Sequence, residues 1–216
     1  MSTVAAVPVK DLENAKRRLV GVLSREERRA LARAMLEDVL EALTGAGLDA
    51  VLVVSRDPEI TALAHAYPVT LLPERKNRGH TEAVALAQHV ATARGARRFL
   101  TIPGDVPQVT PDEIARVVES APAAPSAVFV PSRAGFGTNG ALLSPPDVMA
   151  LKFGEPSFEN HLVAARGNGL DPVVLHLPGL ALDVDAPDDL RAVLASARRT
   201  RSSALLRRLG VESRLG

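Results

Sequence analysis

In its first half the chain alternates short, continuous apolar runs with longer stretches whose apolar positions recur three and four apart. Val4–Val9, Ala50–Ser55, Val69–Leu72 and Phe99–Ile102 are runs of the first kind and predict buried strands. Leu31, Met35, Leu36, Val39, Leu40 and Leu43 are spaced as one helical face. Ser24-Arg-Glu-Glu27 just before them is a capping box, and Gly45 and Gly47 predict the stop. Asp57-Pro58 opens a short helix, because proline in a first turn forfeits no needed amide. Thr81–Ala93 predicts a helix with Val84, Leu86, Ala87 and Val90 inward. Thr110-Pro-Asp-Glu113 is a second capping box, for a helix to about Ser120.

Beyond the Ala121–Pro125 loop the strands crowd together. Ala127–Val130 and Ala141–Leu143 are predicted strands joined by a glycine-rich turn, followed by a helix over Ser157–Arg166. Val173–Leu177 and Leu180–Val184 read as strands and Pro187–Arg198 as a helix. Arg199–Gly216 carries Arg207, Arg208 and Arg214 and reads as a surface helix or frayed tail. Alternation of strand and helix predicts an α/β fold with a parallel sheet, and the later strands predict an antiparallel edge. A length of 216 residues fits one domain spanning 1–216.

Composition narrows the classes. A hydrophobic share of 46% and a charged share of 24% are those of a globular chain. A net charge of +1 gives no global field for nucleic acid or a membrane surface. Without cysteine there is no disulfide framework, zinc-thiolate site or cysteine nucleophile. No apolar run reaches the roughly 18 residues a membrane span needs. Residues Met1–Lys10 lack a basic segment ahead of their apolar stretch, so they predict a first strand rather than a signal peptide, and cytoplasmic residence is the expectation.

Two aspartate stations carry the candidate chemistry. Phe99-Leu-Thr-Ile-Pro-Gly-Asp105-Val-Pro107 and Gly179-Leu-Ala-Leu-Asp183-Val-Asp185-Ala-Pro187 each read as a buried strand presenting carboxylate at its C-terminal tip. Ligands of open α/β sheets bind at that edge. Oxygen donors from two such tips suit Mg²⁺ and a phosphate-bearing substrate. Asp105 is also readable as a turn residue, and Asp185 equally as a cap for the last helix.

Other features bear on phosphate. Lys10, Lys16, Arg17 and Arg18 follow the first strand, as a phosphate-holding loop or a solvated one. Gly135-Phe-Gly-Thr-Asn-Gly140 matches G-x-G-x-x-G, but the next residues are an apolar strand, not the helix a dinucleotide fingerprint needs. A turn whose amides and Thr138 hydroxyl receive an anion is the preferred reading. Ser157 after Gly154 is placed to cap a helix, with His161 one turn on and expected at the same pocket. The five histidines show no metal-ligand spacing.

Several segments then coincide with one family. Pro8-Val-Lys10-x-Leu12-x-x-Ala15-Lys16-x-Arg18-Leu19, Leu23-Ser-x-Glu26-x-Arg28, Pro103-Gly-Asp105-x-Pro107, Gly137-Thr138-Asn139, Phe153-Gly154-x-x-Ser157-Phe158-x-x-His161 and Leu182-Asp183-Val-Asp185-x-Pro187-x-Asp189-Leu190 run in the same order. On them the chain resembles the CofC/FbiD family, the guanylyltransferases of coenzyme F420 biosynthesis.

The resemblance implies a single-domain Rossmann-like nucleotidyltransferase, related to the GT-A and MobA-like folds, with a mixed, mostly parallel sheet. It implies transfer of GMP from GTP to phosphoenolpyruvate, 2-phospho-L-lactate or 3-phospho-D-glycerate, with release of pyrophosphate. By matching position it implies Mg²⁺ at Asp105 with Asp183 or Asp185, and phosphate contacts from Lys10 and Lys16. Acceptor binding falls to Thr138, Asn139, Gly154, Ser157 and His161, and nucleotide binding to Gly79, His80, Pro103 and Gly104. The partners are GTP and the small acid, and a homodimer is a reasonable expectation.

One stretch departs from the family. Where it carries Gly-Leu-Asn-x-Ala-Leu, this chain has Arg78-Gly79-His80-Thr81-Glu82-Ala83-Val84, with Arg75 and Lys76 nearby as further phosphate candidates. His80 for Asn changes the hydrogen bonds open to base or ribose. A transferase for another nucleotide such as CTP is therefore the alternative. A GT-A-like glycosyltransferase is weakened by having its D-x-D so late, and a silent nucleotide binder by the presence of both stations.

Overall fold

The computed structural model describes residues 2–12, 15–74 and 79–215. Arg75, Lys76 and Arg78, expected near phosphate, lie outside them. The elements run β1 (Thr3–Pro8), α1 (Arg25–Gly45), β2 (Ala50–Ser55), α2 (Pro58–Ala64), β3 (Thr70–Pro73), α3 (His80–Ala93), β4 (Arg98–Thr101) and α4 (Pro111–Glu119). Then follow β5 (Ser126–Pro131), β6 (Thr138–Ser144), α5 (Ser157–Gly167), β7 (Val173–Val174), α6 (Pro178–Ala181), α7 (Pro187–Ala195) and α8 (Arg201–Arg208).

These strands form a seven-stranded mixed sheet in the order β3-β2-β1-β4-β6-β5-β7. The β3-β2-β1-β4 half is parallel, β6 is antiparallel to both β4 and β5, and β7 returns parallel to β5. The expected parallel half and antiparallel edge are both present. The central strands read as unbroken apolar runs because both faces are covered. In β1, Ala5 and Val7 join the core under α1, while Val4 and Ala6 join the one under α3.

Local signals place the helices. Ser24 Oγ accepts from the Glu27 amide at 3.2 Å and Glu27 returns the bond to Ser24, closing the α1 box. Thr110 and Glu113 do the same for α4. Asp57 caps α2 by accepting from Glu59 N, and its other oxygen takes the Leu12 amide at 2.9 Å. The loop after β1 is thus tied to α2. The stretch read as a surface helix or frayed tail is α8, seated by Leu205 and Leu206. Its first amides, Arg201 N and Ser202 N, and the Ser202 hydroxyl donate to the buried Asp38 carboxylate of α1.

Two expected strands differ. Of Val173–Leu177, only Val173 and Val174 are in the ladder. Leu180–Val184 is no strand: α6 turns through Pro178–Ala181 and an extended segment follows. Gly179 explains the turn. It donates to Glu113 Oε1 at 2.8 Å, and a Cβ there would stand 2.3 Å from the Gln108 carbonyl oxygen. Leu180, Leu182 and Val184 are all buried. The alternation therefore marks burial, of Leu180 from α6 and of Leu182 and Val184 from the segment after it, and not a strand.

Candidate functional site

A cleft of about 540 Å³ opens where β1 and β4 end, within the usual small-molecule range of roughly 300–1,000 Å³. One side is the basic loop after β1, with Lys10, Lys16, Arg17 and Arg18. Opposite stand Pro103, Gly104 and Asp105 after β4, Asp185, and His80 at the start of α3. Gly79 adopts φ 99°, a backbone region that favours glycine, in turning the chain into α3.

Lys16 is the hub. Its Nζ lies 2.6 Å from Asp105 Oδ2 and 2.9 Å from Asp185 Oδ1. Its side chain is only 9% exposed, against 30% and 47% for the two carboxylates. Its backbone is left-handed (φ 54°, ψ 46°), a conformation that costs a side-chain-bearing residue about 1–2 kcal/mol. Burial alone would lower the Lys16 pKa, but the two carboxylates outweigh it and hold the ammonium above its ordinary value. Burial likewise pushes Asp105 upward, and Lys16 outweighs that to hold it below the usual carboxylate range.

The aspartate stations meet through the backbone as well. Val184 N donates to the Asp105 carbonyl at 3.0 Å. Asp185 does not cap α7. Asp189 does so, with Oδ2 accepting from Asp185 N at 2.9 Å and Ala186 N at 2.7 Å. Asp183 Oδ1 accepts from Asn139 Nδ2 at 3.1 Å. Burial, reinforced by the neighbouring charges of Asp105 and Asp185, raises its pKa against that hydrogen bond.

The donor set suits a hard divalent cation. Two carboxylates already clasp one cation, the Lys16 ammonium, with an oxygen from each. No cluster of three or more potential protein ligands occurs among the described residues. A two-carboxylate site matches Mg²⁺, which keeps its remaining positions for water and substrate phosphate.

Thr138, Ser157 and His161 come together off the cleft wall, whereas Asn139, on the other face of β6, donates to the Leu180 and Ala181 carbonyls and to Asp183. Ser157 is not the cap of α5: Pro156 holds that position, and Ser157 Oγ accepts from Thr138 N at 3.1 Å across 19 residues. His161 is 1% exposed. Its Nε2 accepts from Lys152 N at 3.1 Å, which leaves the Nδ1 proton to the Thr138 hydroxyl at 2.9 Å. Burial, with the His80 imidazole adding to it, lowers the His161 pKa to about 4. His80 is also lowered to about 4, chiefly by burial. A row of rings joins the two regions. His80 meets Phe153 at 4.4 Å, Phe153 meets His161 at 5.1 Å, and His161 stacks on Phe129 at 5.5 Å.

The glycine-rich turn is not an amide cradle. Gly135 N and Gly137 N donate to the Ser132 carbonyl and hydroxyl at 2.8 and 3.0 Å. It is a β-hairpin turn, as the strand following it implied. Gly154 adopts φ 127° at the exposed approach to α5. Among the residues that hold the site, Asp57 and Asp189 escaped the sequence reading as site-builders. Asp189 did carry a signal, an acid three residues after Ala186 beside a first-turn proline.

Sheet order and cleft place the chain among proteins of the nucleotidyltransferase fold. The fold is shared with a nucleotidyl transferase from Methanothermobacter (TM-score 0.66, 16% identity, 96% of this chain and 99% of the other). A cytidylyltransferase from Leptospira borgpetersenii is also similar (TM-score 0.60, 9% identity, covering 100% and 96%). The chain belongs to the family described as guanylyl transferase CofC like, whose model matches residues 3–215. The phosphoenolpyruvate guanylyltransferase of Conexibacter woesei is 41% identical to it over 203 residues, 92% of this chain and 91% of the relative. The 2-phospho-L-lactate guanylyltransferase of Methanothermobacter thermautotrophicus is 34% identical over 209 residues, 97% and 92%.

Proposed function

We propose that the protein transfers GMP from GTP to phosphoenolpyruvate with release of pyrophosphate, in coenzyme F420 biosynthesis. The observation that carries this reading is the Asp105–Lys16–Asp185 clasp in a cleft walled by Lys10, Arg17 and Arg18. Family membership supports the guanylyl group. The roughly 40% identity to relatives named for phosphoenolpyruvate, against 34% to one named for 2-phospho-L-lactate, supports the acceptor.

A phosphate oxygen of the acceptor attacks the α-phosphorus of GTP. One P–O bond forms, the α–β bridging P–O bond breaks, and its electron pair leaves with pyrophosphate. The acceptor oxygen is already anionic, so no general base is needed. Catalysis is then positioning and charge neutralisation. Mg²⁺ held by Asp105 and Asp185 supplies part of that neutralisation when bound. Lys10, Arg17 and Arg18 bind the triphosphate and keep the leaving group oriented. His80, neutral at pH 7 with its pKa about 4, offers the nucleotide a polar ring without charge. Thr138, held by His161 and Ser157, supports the acceptor side from behind the cleft wall.

No helix among the described residues is long and apolar enough to cross a membrane. Cytoplasmic action is part of the same proposal, as is a homodimer. Purified protein incubated with Mg²⁺, each of the four NTPs and each of phosphoenolpyruvate, 2-phospho-L-lactate and 3-phospho-D-glycerate is expected to give pyrophosphate with GTP and phosphoenolpyruvate. No release from any combination sinks the transferase reading, and release with another pair reassigns the substrates.

A further inference from the structure

We infer that Lys16 is an internal counter-cation, occupying the position between Asp105 and Asp185 until a divalent metal displaces it and frees its ammonium for the substrate's phosphates. The inference rests on the proposal that these carboxylates hold the metal, and adds an exchange that orders binding.

Geometry supplies the first support. The ammonium takes one oxygen from each carboxylate, at 2.6 and 2.9 Å. An Mg²⁺ chelated by both groups sits about 2.0–2.1 Å from its oxygens. It would therefore compete for the facing oxygens and for the space the ammonium fills. Two cations at that spacing repel, and the carboxylates cannot satisfy both.

Backbone conformation supplies the second. The left-handed turn at Lys16 aims its side chain inward, and the two ion pairs are what offset the strain. Once a metal takes the carboxylates, that support goes. Lys16 is then a buried cation whose two ion pairs are lost, on a four-carbon stem, in a cleft it shares with Lys10, Arg17 and Arg18. Apart from Asp11, which lines the same cleft, the anions able to receive it there are the substrate's phosphates. A positive loop that stays clasped without metal and opens with it favours metal and nucleotide arriving together.

The test uses Mn²⁺ alone, followed by the electron paramagnetic resonance of the free ion, on wild type, Lys16→Met, Lys16→Gln and Lys16→Arg without nucleotide. Removing a competing cation this close is expected to tighten Mn²⁺ binding roughly tenfold or more in the two neutral variants, and not in Lys16→Arg. Saturating Mn²⁺ is expected to raise the unfolding temperature more in Lys16→Met than in wild type. The glutamine variant keeps hydrogen-bonding capacity to both carboxylates and covers failure of the methionine variant to fold. Unchanged or weaker Mn²⁺ binding in the neutral variants, with wild-type turnover still metal-dependent, overturns the exchange and leaves the transferase reading standing. No Mn²⁺ binding by any form, with or without GTP, removes the metal proposal and the exchange with it.

Discussion

Acid is expected to unfold this protein through His161 before most carboxylates titrate. The imidazole is buried and accepts from the Lys152 amide, so a second proton would face an N–H donor in an apolar setting. Its folded pKa is about 4, against 6.5 when free. Between those values the unfolded chain binds more protons than the folded one, so stability falls as pH falls through the window. At about 1.4 kcal/mol per pH unit, the full difference is about 3 kcal/mol, and about 2 kcal/mol is lost by pH 5. Urea unfolding of wild type and His161→Gln at pH 8, 6.5, 5.5 and 5 isolates this contribution. The variant is less stable throughout, having lost the Thr138 contact, but its stability declines less steeply. Comparing slopes cancels titration common to both proteins, including most of that from the partly exposed His80. Parallel curves for the two proteins would refute the assignment of the acid sensitivity to His161.

Further outcomes follow from the same geometry. Asp105→Asn is expected to lower kcat roughly 10²–10³-fold while leaving the fold intact, read by pyrophosphate release beside circular dichroism; full activity would remove Asp105 from the chemistry. Gly179→Ala puts a methyl group 2.3 Å from the Gln108 carbonyl, and is expected to cost about 1–3 kcal/mol in urea unfolding and to lower activity by shifting the Asp185 segment. Asp38→Ala strips three hydrogen bonds from the start of α8, and is expected to cost about 1–3 kcal/mol and to expose α8 to proteolysis; unchanged protection of its amides in hydrogen exchange would contradict that.

The legible parts of the sequence were the ones written locally. Both capping boxes, the Asp57-Pro58 start and the buried central strands depend on residues within a few positions of one another. Asp105 and the loop carrying Lys16 were also readable, because Pro103 and Gly104 break the chain beside one and charge follows an apolar run in the other. What failed depended on distance. The Leu180–Val184 alternation reports burial and is silent on whether a neighbouring strand exists. Ser157 looks like a helix cap until Thr138, 19 residues earlier, claims its hydroxyl. Asp183 and Asp185 have the same composition around them, and only the folded partners, Asn139 and Lys16, tell them apart. The second duty of Asp57, holding the Leu12 amide, has no local trace.

The hydrogen bond from Val184 N to the Asp105 carbonyl bears on how such a protein can diverge. It joins the two carboxylate segments directly, so their spacing does not depend on the path the chain takes between Pro145 and Leu170. That stretch, with α5 and its approach, can accumulate insertions and exchanges while the carboxylate pair stays in register. A gene duplicate could therefore explore new acceptors at little risk to its reaction centre. On the proposed assignment, the part of the chain on the acceptor side and the part that faces the triphosphate can evolve at different speeds.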